Sequence, residues 1–139
     1  MGRLLSWLLA LVILAAMFVA TVYVQRQGLG TQDDICDGPL PKQGTVFEGP
    51  VRYVADGDSL CIRTHDGLVE VRLADFNAPE MNQTGGARAR EILRQIAEGQ
   101  TVECTAGRRT WDRVAAMCVL DGASLGDRMR QAGAPGGGN

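Results

Sequence analysis

Three short stretches carry the side chains able to do chemistry: Asp56-Gly57-Asp58-Ser59, Arg72-Leu73-Ala74-Asp75-Phe76-Asn77-Ala78-Pro79-Glu80, and Arg109-Thr110-Trp111-Asp112-Arg113. Carboxylates offer oxygen ligands to a hard cation or move a proton, and guanidinium forks grip phosphate through paired hydrogen bonds. Taken alone, an Asp-Gly turn such as the first stretch most often only reverses the chain. In the second, Pro79 lacks an N–H, so it ends a strand and fixes the direction of Glu80 beyond it. Of the 14 basic residues, 13 are Arg and only Lys42 is Lys. That excess suits bidentate contacts with phosphate, although a compositional bias produces it equally well.

Other chemistries find no support. The single histidine, His65, falls in the turn signal His65-Asp66-Gly67 and has no second imidazole to join. Ser59 has no base nearby in sequence to activate it as a nucleophile. The four cysteines form no C-x-x-C pair, which argues against a zinc site. A net charge of −2 neither requires nor excludes a nucleic-acid partner, but the charge is uneven. Residues 25–82 hold 5 basic and 10 acidic side chains, and residues 83–139 hold 8 and 6.

The elements that must position these stretches are legible from periodicity. Thr45–Ala55, Ser59–Thr64 and Leu68–Phe76 read as strands, the last with Val69, Val71 and Leu73 alternating against polar residues. From Thr84 to Glu98 the period changes: Ala89, Ile92, Leu93 and Ile96 line one helical face, and Gly99 ends it. Arg88, Arg90 and Arg94 lie off that stripe and read as a solvated face. Thr101–Thr105 and Val114–Leu120 are two further strands. Ser124, with Asp127 three residues on, caps a short helix whose apolar stripe is Leu125, Met129 and Ala132. Five strands, one helix before the last two and one after them, fit a small Greek-key barrel of OB type with two short helices, a mainly β (α+β) fold.

Ahead of this lies Leu4 to Val24, 21 residues without a charge, long enough to span a bilayer as a helix. A cleavable signal has a shorter apolar core and a small-residue site, and Phe18 stands where a site ending at Ala20 needs a small side chain. The chain therefore divides into a membrane anchor or signal peptide at 1–25, a linker at 26–44, the domain at 45–134 and a glycine-rich disordered tail at 135–139. All four cysteines follow the apolar run, and in a small exported domain they read as two disulfides. Three pairings are possible; Cys104–Cys118 with Cys36–Cys61 is preferred.

In order and spacing, the three stretches resemble the staphylococcal nuclease (thermonuclease) family over Thr45 to about Ala134. The shared pattern is an Asp-Gly-Asp-Ser/Thr turn, an Arg followed five residues on by Asp-x-Pro-Glu, and a Tyr-Gly-Arg-like element. The resemblance implies an OB-type barrel that hydrolyses phosphodiester bonds with Ca²⁺. It implies that Asp58, Asn77 and the Ala78 carbonyl bind the metal, and that Glu80 positions or deprotonates water. Arg72 and Arg113 would hold the scissile phosphate, and Trp111 would contact the nucleotide of a single-stranded DNA or RNA substrate. It also makes the last two strands neighbours, which suits the Cys104–Cys118 pairing. With the anchor, it implies a bacterial inner-membrane protein whose domain faces the periplasmic side, or a secreted one if the N-terminus is cleaved.

The pattern departs from the family at three points. Asn77 replaces an aspartate and removes one negative charge from the cation site; Asp75, two residues earlier on the same strand, is a candidate to compensate. Asp112 replaces the glycine before Arg113. The tyrosine-bearing loop and further helix with which larger members continue do not follow here. These departures leave a second expectation open, a barrel that binds nucleic acid or protein without turnover.

Overall fold

The computed structural model describes residues 13–15, 17 and 36–137. Residues 13–15 and 17 are helical and exposed, and they belong to a compact unit of their own, Met1–Asp34. The rest of the apolar run read as an anchor lies outside the described residues. Among the described residues no helix is long and apolar enough to cross a membrane.

The second unit, Ile35–Asn139, contains β1 (Val46–Val54), β2 (Ser59–Thr64), β3 (Gly67–Leu73), α1 (Gly86–Ala97), β4 (Thr101–Arg109), β5 (Val114–Leu120), β6 (Ala123–Ser124) and α2 (Leu125–Gln131). The sheet order is β3-β2-β1-β4-β5-β6, and β3 also pairs with β5 in parallel. That last pairing joins the two ends of the five long strands and closes the barrel, which removes their open edges. The five expected strands and two helices are present. The two-residue β6, which pairs with the end of β5, was not foreseen because a run so short has no periodicity to read.

Alternation explains the core. Val69, Val71 and Leu73 of β3, with Leu60 and Ile62 of β2, point inward and are buried. Helix α1 closes one end with Ala89, Leu93 and Ala97, each fully buried, while Ile92 and Ile96 are packed at the margin. The fully buried stripe is thus i, i+4, i+8: Ala89 and Leu93 of the expected face lie in it, and Ile92 and Ile96 flank it. Leu125 and Met129 of α2 complete the core. Ser124 caps α2 as its spacing implied, its hydroxyl accepting from the Asp127 N–H at 3.0 Å.

Two strands end elsewhere than periodicity suggested. β3 stops at Leu73, and beyond it the Ala74 N–H turns to the Ala116 carbonyl of β5 at 2.9 Å. β4 runs four residues further, to Arg109, with an irregular register between Ala106 and Arg109. Arg90, expected in solvent, donates to the Val54 carbonyl at 3.1 Å and so ties α1 to the end of β1.

Both preferred disulfides are present, Cys104–Cys118 between paired positions of β4 and β5, and Cys36–Cys61. The latter pins residues 36–44 to the barrel together with hydrogen bonds from Gly38 N–H to Leu68 O (2.6 Å) and from Gly44 N–H to Ala106 O (2.7 Å). At the other end, Gly137, within the glycine-rich segment at 135–139, donates its N–H to the Asn77 carbonyl at 2.7 Å. A glycine-rich composition hides this bond, since its acceptor is distant in the chain. The Cys104–Cys118 link spans a sequence separation of 14 residues. Replacing both cysteines by Ala is expected to lower unfolding stability by about 2–5 kcal/mol, read as a shift in the denaturant midpoint.

Candidate active site

Asp58 sits at the centre of the site. The turn between β1 and β2 is set by the Asp56 carboxylate, which accepts from the Asp58 N–H at 3.0 Å. Gly57 is required by proximity: a Cβ there would lie 2.5 Å from the side chains of both Ala78 and Ala89. The acidic turn is thereby pressed between α1 and the loop after β3, and Asp58 is left only 3% exposed. A buried carboxylate must be satisfied. Asp58 Oδ2 accepts from the Ala78 N–H at 2.8 Å and lies 3.3 Å from Arg72 Nη2, while Oδ1 accepts from the Ser59 hydroxyl at 3.3 Å. Burial raises its pKa above the ordinary aspartate value; the Ala78 N–H and the Arg72 charge act in the opposite direction without cancelling it.

Arg72 lies opposite Ser59 in the β2–β3 ladder, at the mouth of the barrel. The same Nη2 that approaches Asp58 donates to Asn77 Oδ1 at 2.6 Å. One guanidinium thus bridges two of the three groups implied as metal ligands. Asn77 is further held by Gly137: its Nδ2 donates to the Gly137 carbonyl at 3.1 Å. A Cβ on Gly137 would stand 2.5 Å from the Ala78 carbonyl oxygen, so that residue can lie over this loop only as glycine. Arg113 reaches the cluster from the other side, with Nη1 3.5 Å from the Ser59 hydroxyl. Asp58, Ser59, Arg72, Asn77 and Arg113 are therefore linked in one chain of contacts, and Ala78 joins it through its N–H.

Glu80 and Trp111 stand apart from that chain. Pro79 is buried and Glu80 exposed, in a turn closed by Gln83 N–H to Glu80 O (2.8 Å) and Glu80 N–H to Gln83 Oε1 (3.0 Å). The Glu80 carboxylate takes part in no hydrogen bond or ion pair among the described residues. Trp111, in the β4–β5 turn, is 99% exposed. Asp75 is turned against Gly126 of α2 and shares no bond with Asp58 or Asn77; its Oδ1 is buried without a partner among the described residues. Its expected compensating role finds no support in this placement.

Two residues beside these groups were not singled out in the sequence. Ser59, set aside for want of a base, links Asp58 to Arg113. Glu70 lies two residues before Arg72 on the same face of β3. Burial pushes its pKa up, as do the nearby charges of Asp112 and Asp56, with Arg113 opposing them. Period-2 counting back from Arg72 would have found it.

The implied metal can be tested against these donors. The Asp58 carboxylate, the Asn77 amide oxygen and the Ala78 carbonyl are all hard oxygens, the donors calcium takes. They carry a single negative charge, and no group of three His, Cys, Asp or Glu side chains able to hold a metal occurs among the described residues. The donor chemistry fits calcium, at low charge.

The domain is thus a small closed OB-type barrel with a buried carboxylate and two arginines reaching the same corner at its mouth. No family model matches the chain. The chain is similar to micrococcal nuclease of Shigella flexneri, 39% identical over 59 residues, which is 42% of this chain and 34% of that protein. It thus covers about a third of the length of that curated relative. The closed five-stranded barrel and this partial match fit a staphylococcal nuclease-like domain.

Proposed function

We propose that the domain is a Ca²⁺-dependent endonuclease acting on single-stranded DNA or RNA. One observation carries this reading: the Arg72 and Arg113 guanidiniums converge on the Asp58–Ser59 corner, beside a carboxylate only 3% exposed. Phosphodiester hydrolysis builds negative charge on the equatorial oxygens, and fixed guanidinium forks are the side chains that match it. Asp58, Asn77 Oδ1 and the Ala78 carbonyl would hold the metal, which when bound supplies Lewis-acid polarisation of the phosphate. Arg72 would then exchange its bonds to Asp58 and Asn77 for bonds to the phosphate. Glu80, exposed and unengaged, would orient and deprotonate the attacking water. Trp111 offers a face on which an unpaired base can stack. The four disulfide-bonded cysteines suit an oxidising compartment, so we place the domain outside the bacterial inner membrane, tethered by residues 4–24 or released from them.

The binding-only reading is favoured by Asn77. It contributes no charge, and its amide is occupied on both sides, by Arg72 and by Gly137. An assay of the full chain on labelled single-stranded DNA separates the two. Cleavage with Ca²⁺, and its loss on adding a chelator, is the expected result. Binding without cleavage at any Ca²⁺ concentration selects the second reading, and cleavage restored by Asn77→Asp then locates the defect at the metal.

A further inference from the structure

On the outer face of the β2–β3 ladder, Ser59 pairs with Arg72 and, one row along, Cys61 pairs with Glu70. The first row belongs to the phosphate-binding corner. The second is covered by the strap at 36–40, which is fixed there by the Cys36–Cys61 disulfide and the Gly38–Leu68 hydrogen bond. Two residues along a strand are about 7 Å, so the strap stands within one nucleotide's reach of the two arginines. Between the strap and the β4–β5 turn lies a cleft of about 270 Å³, lined by Cys36, Asp37, Gly38, Leu40, Trp111 and Asp112.

Its walls differ in character from the corner beside it. At its edge stands the Trp111 indole, 99% exposed, a large flat apolar surface that nothing among the described residues covers. One wall is a backbone strap held by a covalent bond. The charged groups in the cleft are Asp37 and Asp112, both acidic. Two carboxylates repel a phosphate, so the backbone of a bound strand is directed to Arg72 and Arg113 and its base into the cleft. A carboxylate is an acceptor only. It therefore pairs with the exocyclic amino groups of cytosine or adenine, whereas thymine presents a carbonyl at the corresponding edge.

We propose that this cleft is a base-reading subsite: a base next to the phosphate held by Arg72 and Arg113 stacks on Trp111, and Asp37 and Asp112 select bases bearing an amino group. The inference rests on the nucleic-acid reading of the site, and its test keeps the two apart. Fluorescent octamers of deoxycytidine and of thymidine are titrated with the full chain in detergent micelles, with chelator present to prevent cleavage, and anisotropy is read. The deoxycytidine octamer is expected to bind roughly five- to tenfold more tightly, the size of one or two charge-assisted hydrogen bonds partly offset by desolvation. Asp37→Asn with Asp112→Asn, whose amides both donate and accept, brings the ratio close to one without weakening thymidine binding. Trp111→Ala weakens both octamers. Equal affinities in the native chain, or a preference that survives the double substitution, overturns the subsite while leaving the nuclease reading intact. Failure to bind either octamer with chelator present, together with failure to cleave either when Ca²⁺ replaces the chelator, removes both.

Discussion

Glu80→Gln is expected to slow cleavage of single-stranded DNA by about 10²–10⁴-fold, the usual contribution of a well-placed general base, with oligonucleotide affinity unchanged. The substitution keeps the shape of the side chain and removes only its basicity. The turn that presents it is fixed by backbone groups, through the paired bonds with Gln83, so an amide at this position does not disturb the loop. Structural damage is an inadequate explanation for a loss at an exposed side chain that anchors nothing. Single-turnover rates at saturating enzyme check the prediction. A rate within threefold or so of the parent would move the proton to another group, or to solvent, because a true general base is worth far more than that.

Arg72→Gln is expected to act on both rate and stability. Losing one preorganised fork at the phosphate costs about 10²–10³-fold in turnover, by analogy with removing one oxyanion donor. Unlike Glu80, Arg72 also has a partner within the domain: it stands 3.3 Å from the buried Asp58. Without it, Asp58 keeps only the Ala78 N–H and the Ser59 hydroxyl, and unfolding stability should fall by about 1–3 kcal/mol. Combining the change with Asp58→Asn gives a double-mutant cycle. A coupling energy near zero would show that the guanidinium is held by Asn77 alone and that the ion pair contributes nothing. The two predictions differ in kind, since Glu80 should alter rate only while Arg72 should alter rate and midpoint together.

The contrast follows from how each residue is placed. Arg72 is on a strand whose neighbours on both sides are paired, so its backbone has no freedom and its side chain spans a gap between two fixed acceptors. Glu80 follows a buried proline, beyond the last ladder bond, and faces water. A group that works by meeting a transient proton is well served by that exposure. A group that works by a standing charge is served by the enclosure around Asp58. The acid-lined cleft beside them extends the same division, with cationic side chains at the Asp58–Ser59 corner and anionic ones, Asp37 and Asp112, in the cleft.

Much of this was readable from residue order. The alternation of Val69, Val71 and Leu73, the Ala89 and Leu93 face of α1 and the Ser124 cap are local patterns, governed by side-chain geometry within a few residues. The three chemical stretches were likewise visible, because residue type and spacing are properties of the chain itself. What the chain order left open was contact between distant positions. That Arg72 bridges Asp58 and Asn77, that Ser59 rather than a direct contact joins Arg113 to them, and that Gly137 folds back over residues 77 and 78 all depend on which strands become neighbours. The parallel pairing of β3 with β5 brings Arg72 beside Ala115, two residues from Arg113, although positions 72 and 115 are far apart in the chain. No local propensity encodes that approach; burying the apolar faces of five strands at once requires the barrel to close, and closure brings both arginines to the Asp58–Ser59 corner.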